Sequence, residues 1–269
     1  MILPELPEIF NLAGQMGKEL EGKTVQDVEI RQHKCLNVTP EEFKLLVCGK
    51  KLSKVTSKGK WILVKLYPDA YFLLSLGMGG NLLYHEPGQS LPDKYQLSFS
   101  FDDGSHLSIG FWWFGYAHAV NALDSHKMTS KLGMSPVSDE FTYDRFNSML
   151  RSKKGAIKSV LMDQSSIAGI GNVYVQDILF KARLHPERKV PEMTEKEKTV
   201  LYDAIKDNLL RAVSLGGIAP EKDLYGNPGR FTEFMVGYRE GKPCPECGTT
   251  IEKIKTGSTS SYICPACQR

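Results

Sequence analysis

Four cysteines in the last 26 residues stand as Cys244-x2-Cys247-x16-Cys264-x2-Cys267. Each Cys-x-x-Cys turn can aim two thiolates at one ion, and two such pairs complete a tetrahedral shell. The 16 intervening residues suit a hairpin, with Gly248 and Gly257 available for its turns. The spacing predicts one Zn2+, structural because all four positions are filled by protein. The alternatives are two disulfides or a redox Cys-x-x-Cys. Cys35 and Cys48 stand alone upstream and read as ordinary core or strand residues.

A second set of residues suits phosphate chemistry. In Ala168-Gly169-Ile170-Gly171-Asn172-Val173-Tyr174, glycines and an amide lie between two helical patterns. Such a turn can point backbone N–H groups and the Asn172 amide at a phosphate; the alternative is a plain left-handed helix cap. Residues 151 to 189 carry eight Lys or Arg, Lys158 among them, against Asp163, Asp177 and Glu187. Residues 50 to 65 carry six lysines and no acid, although the whole chain has a net charge of only +3. Two separate basic segments in a near-neutral chain point to a polyanion bound between them. Lys60 follows the Lys58-Gly59 turn and precedes an apolar strand, where it can reach out from a sheet edge.

The elements that must position these groups divide in two. With 269 residues, 41% hydrophobic and 24% charged, the chain has the composition of a folded globular protein and the length for two domains more readily than one. Residues 24 to 110 read as strands: Val25 to Ile30 alternates with period two, as do parts of Trp61 to Leu66 and Tyr95 to Phe101. Lys58-Gly59, Pro68-Asp69, Glu86-Pro87-Gly88 and Asp102-Asp103-Gly104 supply turns between them. A helix over 8–21 is expected to flank this sheet structure. After Gly133-Met134-Ser135-Pro136 the pattern turns helical over 141–151, 156–163, 173–182 and 194–214, the last opening on a Thr194/Glu197 capping box. Residues 218–234 read as a loop. The expected architecture is α+β: an N-terminal antiparallel β-sandwich (1–136), a helical domain (137–237) and a four-cysteine zinc-ribbon hairpin (238–269). No apolar run approaches the roughly 20 residues needed to span a bilayer, and the N-terminus lacks a signal-peptide pattern. A monomer in the cytoplasm is expected, associated with the nucleoid if the source is bacterial.

Four further segments accompany the ribbon in order: Pro4-Glu5-Leu6-Pro7-Glu8, Lys58-Gly59-Lys60-Trp61, Leu76-Gly77-Met78-Gly79-Gly80 and Ala168 to Tyr174. Together they resemble the formamidopyrimidine-DNA glycosylase/endonuclease VIII family of base-excision-repair enzymes, from residue 4 to the C-terminus. The resemblance implies a helix–two-turn–helix unit over roughly 156–182, damaged double-stranded DNA as partner, and glycosylase with abasic-site lyase activity. It implies that Glu5 is the catalytic acid/base, that Lys60 contacts a phosphate near the lesion, and that Met78 wedges into the base stack. Asn172 and Lys158 would serve the DNA backbone. The matching nucleophile is an N-terminal proline, whose amine attacks the sugar C1′ to form a Schiff base.

Three positions depart from the pattern. Pro4 follows Met1, Ile2 and Leu3, so its nitrogen is an amide, whose lone pair is held by resonance. Freeing it would require processing, or the α-amine of Met1 would have to substitute. Trp112 and Trp113 stand before Phe114-Gly115 where the family carries arginines; they could stack or wedge against DNA, or belong to the core. Thr259 stands at the ribbon tip where the family has a phosphate-gripping arginine. These changes leave open a lesion- or DNA-structure-binding protein that has lost the lyase step. A zinc-ribbon protein bound to RNA or protein is the third reading, and it leaves the N-terminal matches unexplained.

Overall fold

In the computed structural model, which describes residues 3–269, the chain forms two units. One runs to Lys131 and also includes Leu215–Phe231; the other comprises Leu132–Ser214 and Thr232–Arg269.

Helix α1 (Leu6–Leu20) opens the first unit. Pro7 is tolerated in the first turn because no intrahelical partner awaits its missing N–H. Leu6, Ile9, Leu12, Ala13, Met16 and Leu20 bury one face at helical spacing. Strand β1 (Val25–Ile30) follows, then helix α2 (Pro40–Val47). This helix corrects the all-strand expectation for 24–110. Thr39 and Glu42 form its capping box, and Pro40 sits in its first turn. Phe43 and Val47 then bury against the sheets, with Phe43 edge-on to Phe72 and Phe99.

Strands β2 (Lys51–Lys58), β3 (Trp61–Tyr67), β4 (Ala70–Ser75), β5 (Asn81–His85), β6 (Leu97–Phe101), β7 (His106–Gly110) and β8 (Tyr116–Val120) complete two antiparallel sheets. Their orders are β1-β6-β7-β5 and β2-β3-β4-β8. Inward residues of both sheets share one apolar core with α1 and α2, including Val64, Leu66, Phe72, Leu97, Phe99 and Leu107. Truncating such an aromatic to alanine would remove about 3–5 kcal/mol.

The register of the second sheet determines which turns become neighbours. Lys58 pairs with Trp61, Ile62 with Leu74, and Ser75 with Tyr116. The β2–β3 turn, the exit from β4 and the entry to β8 therefore share one end of the sheet.

The second unit contains α3 (Tyr143–Arg151), α4 (Ile157–Met162), α5 (Val175–Lys181), α6 (Glu195–Ser214) and the hairpin β9 (Glu252–Thr256) and β10 (Thr259–Ile263). Thr142 caps α3, and the Thr194/Glu197 box caps α6. The α4–α5 connection is built by side chains: Gln164 donates to the carbonyls of Met162 and Ile170 and accepts from Gly169 N. Asp177, buried on α5, accepts from the amides of Met235, Val236 and Gly237, fixing the chain that leads into the ribbon.

Candidate functional site

The sheet end just described gathers the candidate residues of the first unit. Glu5 is the N-cap of α1 and forms a reciprocal capping box with Glu8, whose Oε2 accepts from Glu5 N at 2.9 Å. Glu5 is 2% exposed, and its Oε1 lies 3.9 Å from Lys60 Nζ on the β2–β3 turn. Pro4 is buried beside it in sequence, its nitrogen acylated by Leu3; the Met1 amine lies outside the described residues. Met78 is half-buried at the β4 exit. Its N–H donates to Trp113 O at 2.9 Å, and its carbonyl accepts from Trp112 N at 3.1 Å. Trp112, Trp113 and Phe114 do not join the core; all three are exposed. Trp61, adjacent to Lys60, is buried, stacks on Tyr116, and stands against His118 and His126.

Two buried carboxylates here were not singled out as functional from the sequence. Glu8, besides holding Glu5 N, accepts from Ile218 N at 3.0 Å. A Cβ on Gly217 would lie 2.4 Å from Glu8 Oε1, and Gly217 has φ 83°, so glycine is required on both counts. Glu221 lies in the same returning segment, where burial and the Glu8 carboxylate push its carboxyl up to about 7. The Glu5/Glu8 three-residue spacing at a helix start was the available signal for Glu8; nothing local marks Glu221.

The second unit gathers the rest. Lys158 is 1% exposed, and its ammonium donates to Thr259 Oγ1 at 2.9 Å, Ser260 O at 2.7 Å and Ser261 Oγ at 2.8 Å. Burial draws its pKa down to about 8. All three ammonium donors are thus engaged by the ribbon tip. Gln176 donates to Asn172 O, Asn172 Oδ1 and Ser260 O, and accepts from Tyr262 N. Asn172, Lys158 and Thr259 are therefore linked through one hydrogen-bonded patch where the α4–α5 connection meets the ribbon tip.

The Sγ atoms of Cys244, Cys247, Cys264 and Cys267 all lie within 4.8 Å of one another. Individual separations are 3.9 Å for Cys244–Cys267, and 3.4 Å for both Cys247–Cys264 and Cys247–Cys267. Four thiolates at Zn–S distances of about 2.3 Å stand about 3.8 Å apart in a tetrahedron, so this donor set fits a structural zinc. Gly248, at φ 77°, turns the first knuckle after Cys247.

Comparisons with known proteins cover nearly the whole chain. The formamidopyrimidine-DNA glycosylase N-terminal domain model matches residues 3–110, the formamidopyrimidine-DNA glycosylase H2TH domain model matches 132–222, and a zinc finger found in FPG and IleRS matches 241–269. The chain is 36% identical to the formamidopyrimidine-DNA glycosylase of Pelotomaculum thermopropionicum, over 99% of each chain. It is 34% identical to that of a Roseiflexus species, over 99% of this chain and 100% of the relative. Among solved structures, Lactococcus lactis Fpg in complex with abasic-site DNA superposes with a TM-score of 0.90 at 25% identity, covering 98% of this chain and 99% of the other. Thermus thermophilus MutM (Fpg) gives 0.88 at 29% identity, covering 98% of each.

Proposed function

Because the chain belongs to the formamidopyrimidine-DNA glycosylase family, we infer that it is a base-excision-repair DNA glycosylase and abasic-site lyase acting on damaged double-stranded DNA. The names of its relatives and the abasic-site DNA bound by the Lactococcus lactis protein support this reading. The observation that carries it is the Glu5–Lys60 pair at the sheet end that also holds Met78 and the Trp112–Phe114 loop.

Glu5 is the proton shuttle. Its carboxylate is held in place by the capping box and by the nearby Lys60 ammonium, so it can take the proton released by the attacking amine and pass it to the sugar ring oxygen as the ring opens. Lys60 contacts a phosphate beside the extruded nucleotide, and Met78 fills part of the space it vacates. In the other unit Asn172 and the Thr259 tip take the DNA backbone, with Lys158 fixing the tip. The zinc holds the ribbon and takes no part in the reaction. The Schiff base needs an amine: either proteolysis frees Pro4, or another N-terminal amine reaches C1′. The enzyme acts as a monomer in the cytoplasm, associated with the nucleoid if the source is bacterial.

Borohydride trapping of the purified, untagged protein on an abasic-site oligonucleotide tests this. A covalent adduct, with the labelled peptide identifying the amine, is expected, and Glu5→Gln should lower base release by about 10²–10⁴-fold while sparing affinity. Tight binding with neither adduct nor base release would instead make the protein a lesion binder.

A further inference from the structure

Glu221 is 8% exposed, and among the described residues no N–H or O–H donates to its carboxyl. Buried polar groups are nearly always hydrogen-bonded, so an unpaired one calls for a cause. The backbone around it is nevertheless fixed. Glu221 N donates to Ile218 O at 3.0 Å, and Glu221 O accepts from Gly229 N at 3.0 Å. The two arms of this segment are pressed together, since a Cβ on Gly229 would lie 2.3 Å from Gly217 O. Phe231 N closes the segment on Gly217 O at 2.8 Å, and Ile218 N ties it to Glu8 Oε1 on α1. A carboxyl that is buried, unpaired and held in place is arranged to meet a group outside the protein.

Its surroundings decide its protonation. Glu8 is spent on two backbone amides, those of Glu5 and Ile218, and among the described residues it is the one charged group that acts on Glu221. Two carboxyls at one site do not readily ionise together. Glu221 has no amide to steady a charge, so it keeps its proton up to about pH 7. The reaction inferred above needs such a proton. When the N-glycosidic bond breaks, its electron pair leaves with the base, which must be protonated or depart as an anion. Glu5 is occupied with the proton passed from the amine to the sugar ring, and Lys60 with a phosphate. We propose that Glu221 is a second catalytic acid, donating its carboxyl proton to the departing base, a role that rests on the DNA-repair reading above. The C1′–base bond breaks as C1′ bonds to the attacking amine, and the base takes the Glu221 proton. The Glu221 carboxylate left behind is reprotonated from water once the base has gone. Glu5 thus serves the sugar and Glu221 the base.

The test compares two rates: single-turnover base release from a duplex carrying a formamidopyrimidine lesion, and borohydride trapping on a duplex whose abasic site is already formed. Glu221→Gln keeps the size of the side chain and removes its acidic proton. It should lose about 10²–10⁴-fold in base release while its trapping rate stays within about threefold of wild type, because no base remains to be protonated. Glu221→Asp should recover part of the lost base release, and Glu5→Gln should slow both reactions. In the wild type the ratio of base release to trapping should fall about tenfold per pH unit above 7, as the acid form does, and in Glu221→Gln the ratio should be flat. A urea midpoint at or above that of wild type is expected for Glu221→Gln, since the like-charge contact with Glu8 is gone. If that variant is unfolded instead, Glu221→Asp and the wild-type ratio decide. Wild-type base release by Glu221→Gln would overturn the role alone, as would equal losses in both reactions or a pH-independent wild-type ratio. A wild type that traps the abasic site but releases no base would also overturn it. A wild type that does neither would overturn the DNA-repair reading as well.

Discussion

Replacing Lys158 by methionine separates an anchoring lysine from a phosphate-binding one. Methionine keeps the apolar stem and removes the ammonium that donates to Thr259 Oγ1, Ser260 O and Ser261 Oγ. Bonds from a charged donor contribute about 1.5–3 kcal/mol each, but here each partner retains another. Ser260 O still accepts from Gln176 at 3.2 Å, Ser261 Oγ still pairs with Thr256 Oγ1 at 2.8 Å, and Thr259 Oγ1 still donates to Thr256 O at 3.3 Å. The substitution also relieves the burial of a charge that draws the amine down to about 8. Loss and relief largely offset, leaving a destabilisation of about 1–2 kcal/mol. The tip should loosen without unfolding, and DNA affinity should fall about tenfold. The salt dependence should not change, because a lysine spent on the ribbon displaces no counterions. Anisotropy titrations of a labelled abasic-site duplex between about 50 and 200 mM salt measure this, since each phosphate contact contributes about 0.9 to the slope of log K against log salt. A slope shallower by about 0.9 in the variant would show that Lys158 reaches a phosphate, and the anchoring argument would be wrong.

Chelation, or Cys264→Ala, should release the bound zinc and unfold the β9–β10 hairpin, taking Thr259 out of place. A colorimetric zinc assay beside a binding titration checks this, and undiminished affinity in the zinc-free protein would contradict it. His118 Nδ1 and His126 Nε2 stand 2.8 Å apart, and His126 Nδ1 accepts from Thr129 N, so the pair can hold only one proton between its facing nitrogens. Burial and the neighbouring His126 lower His118 to about 4 from an ordinary 6.5. The unfolded chain binds that proton first, so stability present above pH 6.5 should be lost as pH falls toward 4. Urea midpoints across this window should drop in the wild type and drop less in His118→Gln; parallel slopes would rule the pair out as the cause. Gly77→Ala should break the Met78–Trp113 pairing, because its Cβ has only 2.2 Å to Trp113 O. Abasic-site DNA affinity should fall several-fold with the zinc content unchanged, and wild-type affinity would show that the pairing is dispensable.

The parts of the fold that could be read in advance are those whose cause is local. The cysteine spacing is legible because a tetrahedral ion requires two close pairs and little else. The sixth helix could be placed because Thr194 and Glu197 cap it by bonds spanning three residues. The same local signal was present at Thr39 and Glu42 and was outweighed by the strands on either side, so α2 was missed. The anchoring of Lys158 to the ribbon was not legible for a different reason. Its charge and its basic neighbours are sequence facts, but the partners that bury it lie 101 to 103 residues away on the ribbon.

The distances spanned by the site explain why Glu8 and Glu221 carried no clear mark in the sequence. Lys60, Met78 and Trp112 are far apart in sequence and share one end of the sheet because β3, β4 and β8 pair in the register Ile62–Leu74 and Ser75–Tyr116, and Glu5, at the start of α1, joins them through Lys60. A slip of one residue at either pairing would turn every inward side chain outward. The same apolar alternation that buries Ile62, Leu74 and Ala117 therefore also sets which three turns share an end. Residue identity at those turns is freer than in the strands except where the backbone demands glycine, as at Gly77. That freedom is where the indoles at 112 and 113 could enter without disturbing the frame, leaving Glu5 and Lys60 in place while altering what the neighbouring loop can recognise.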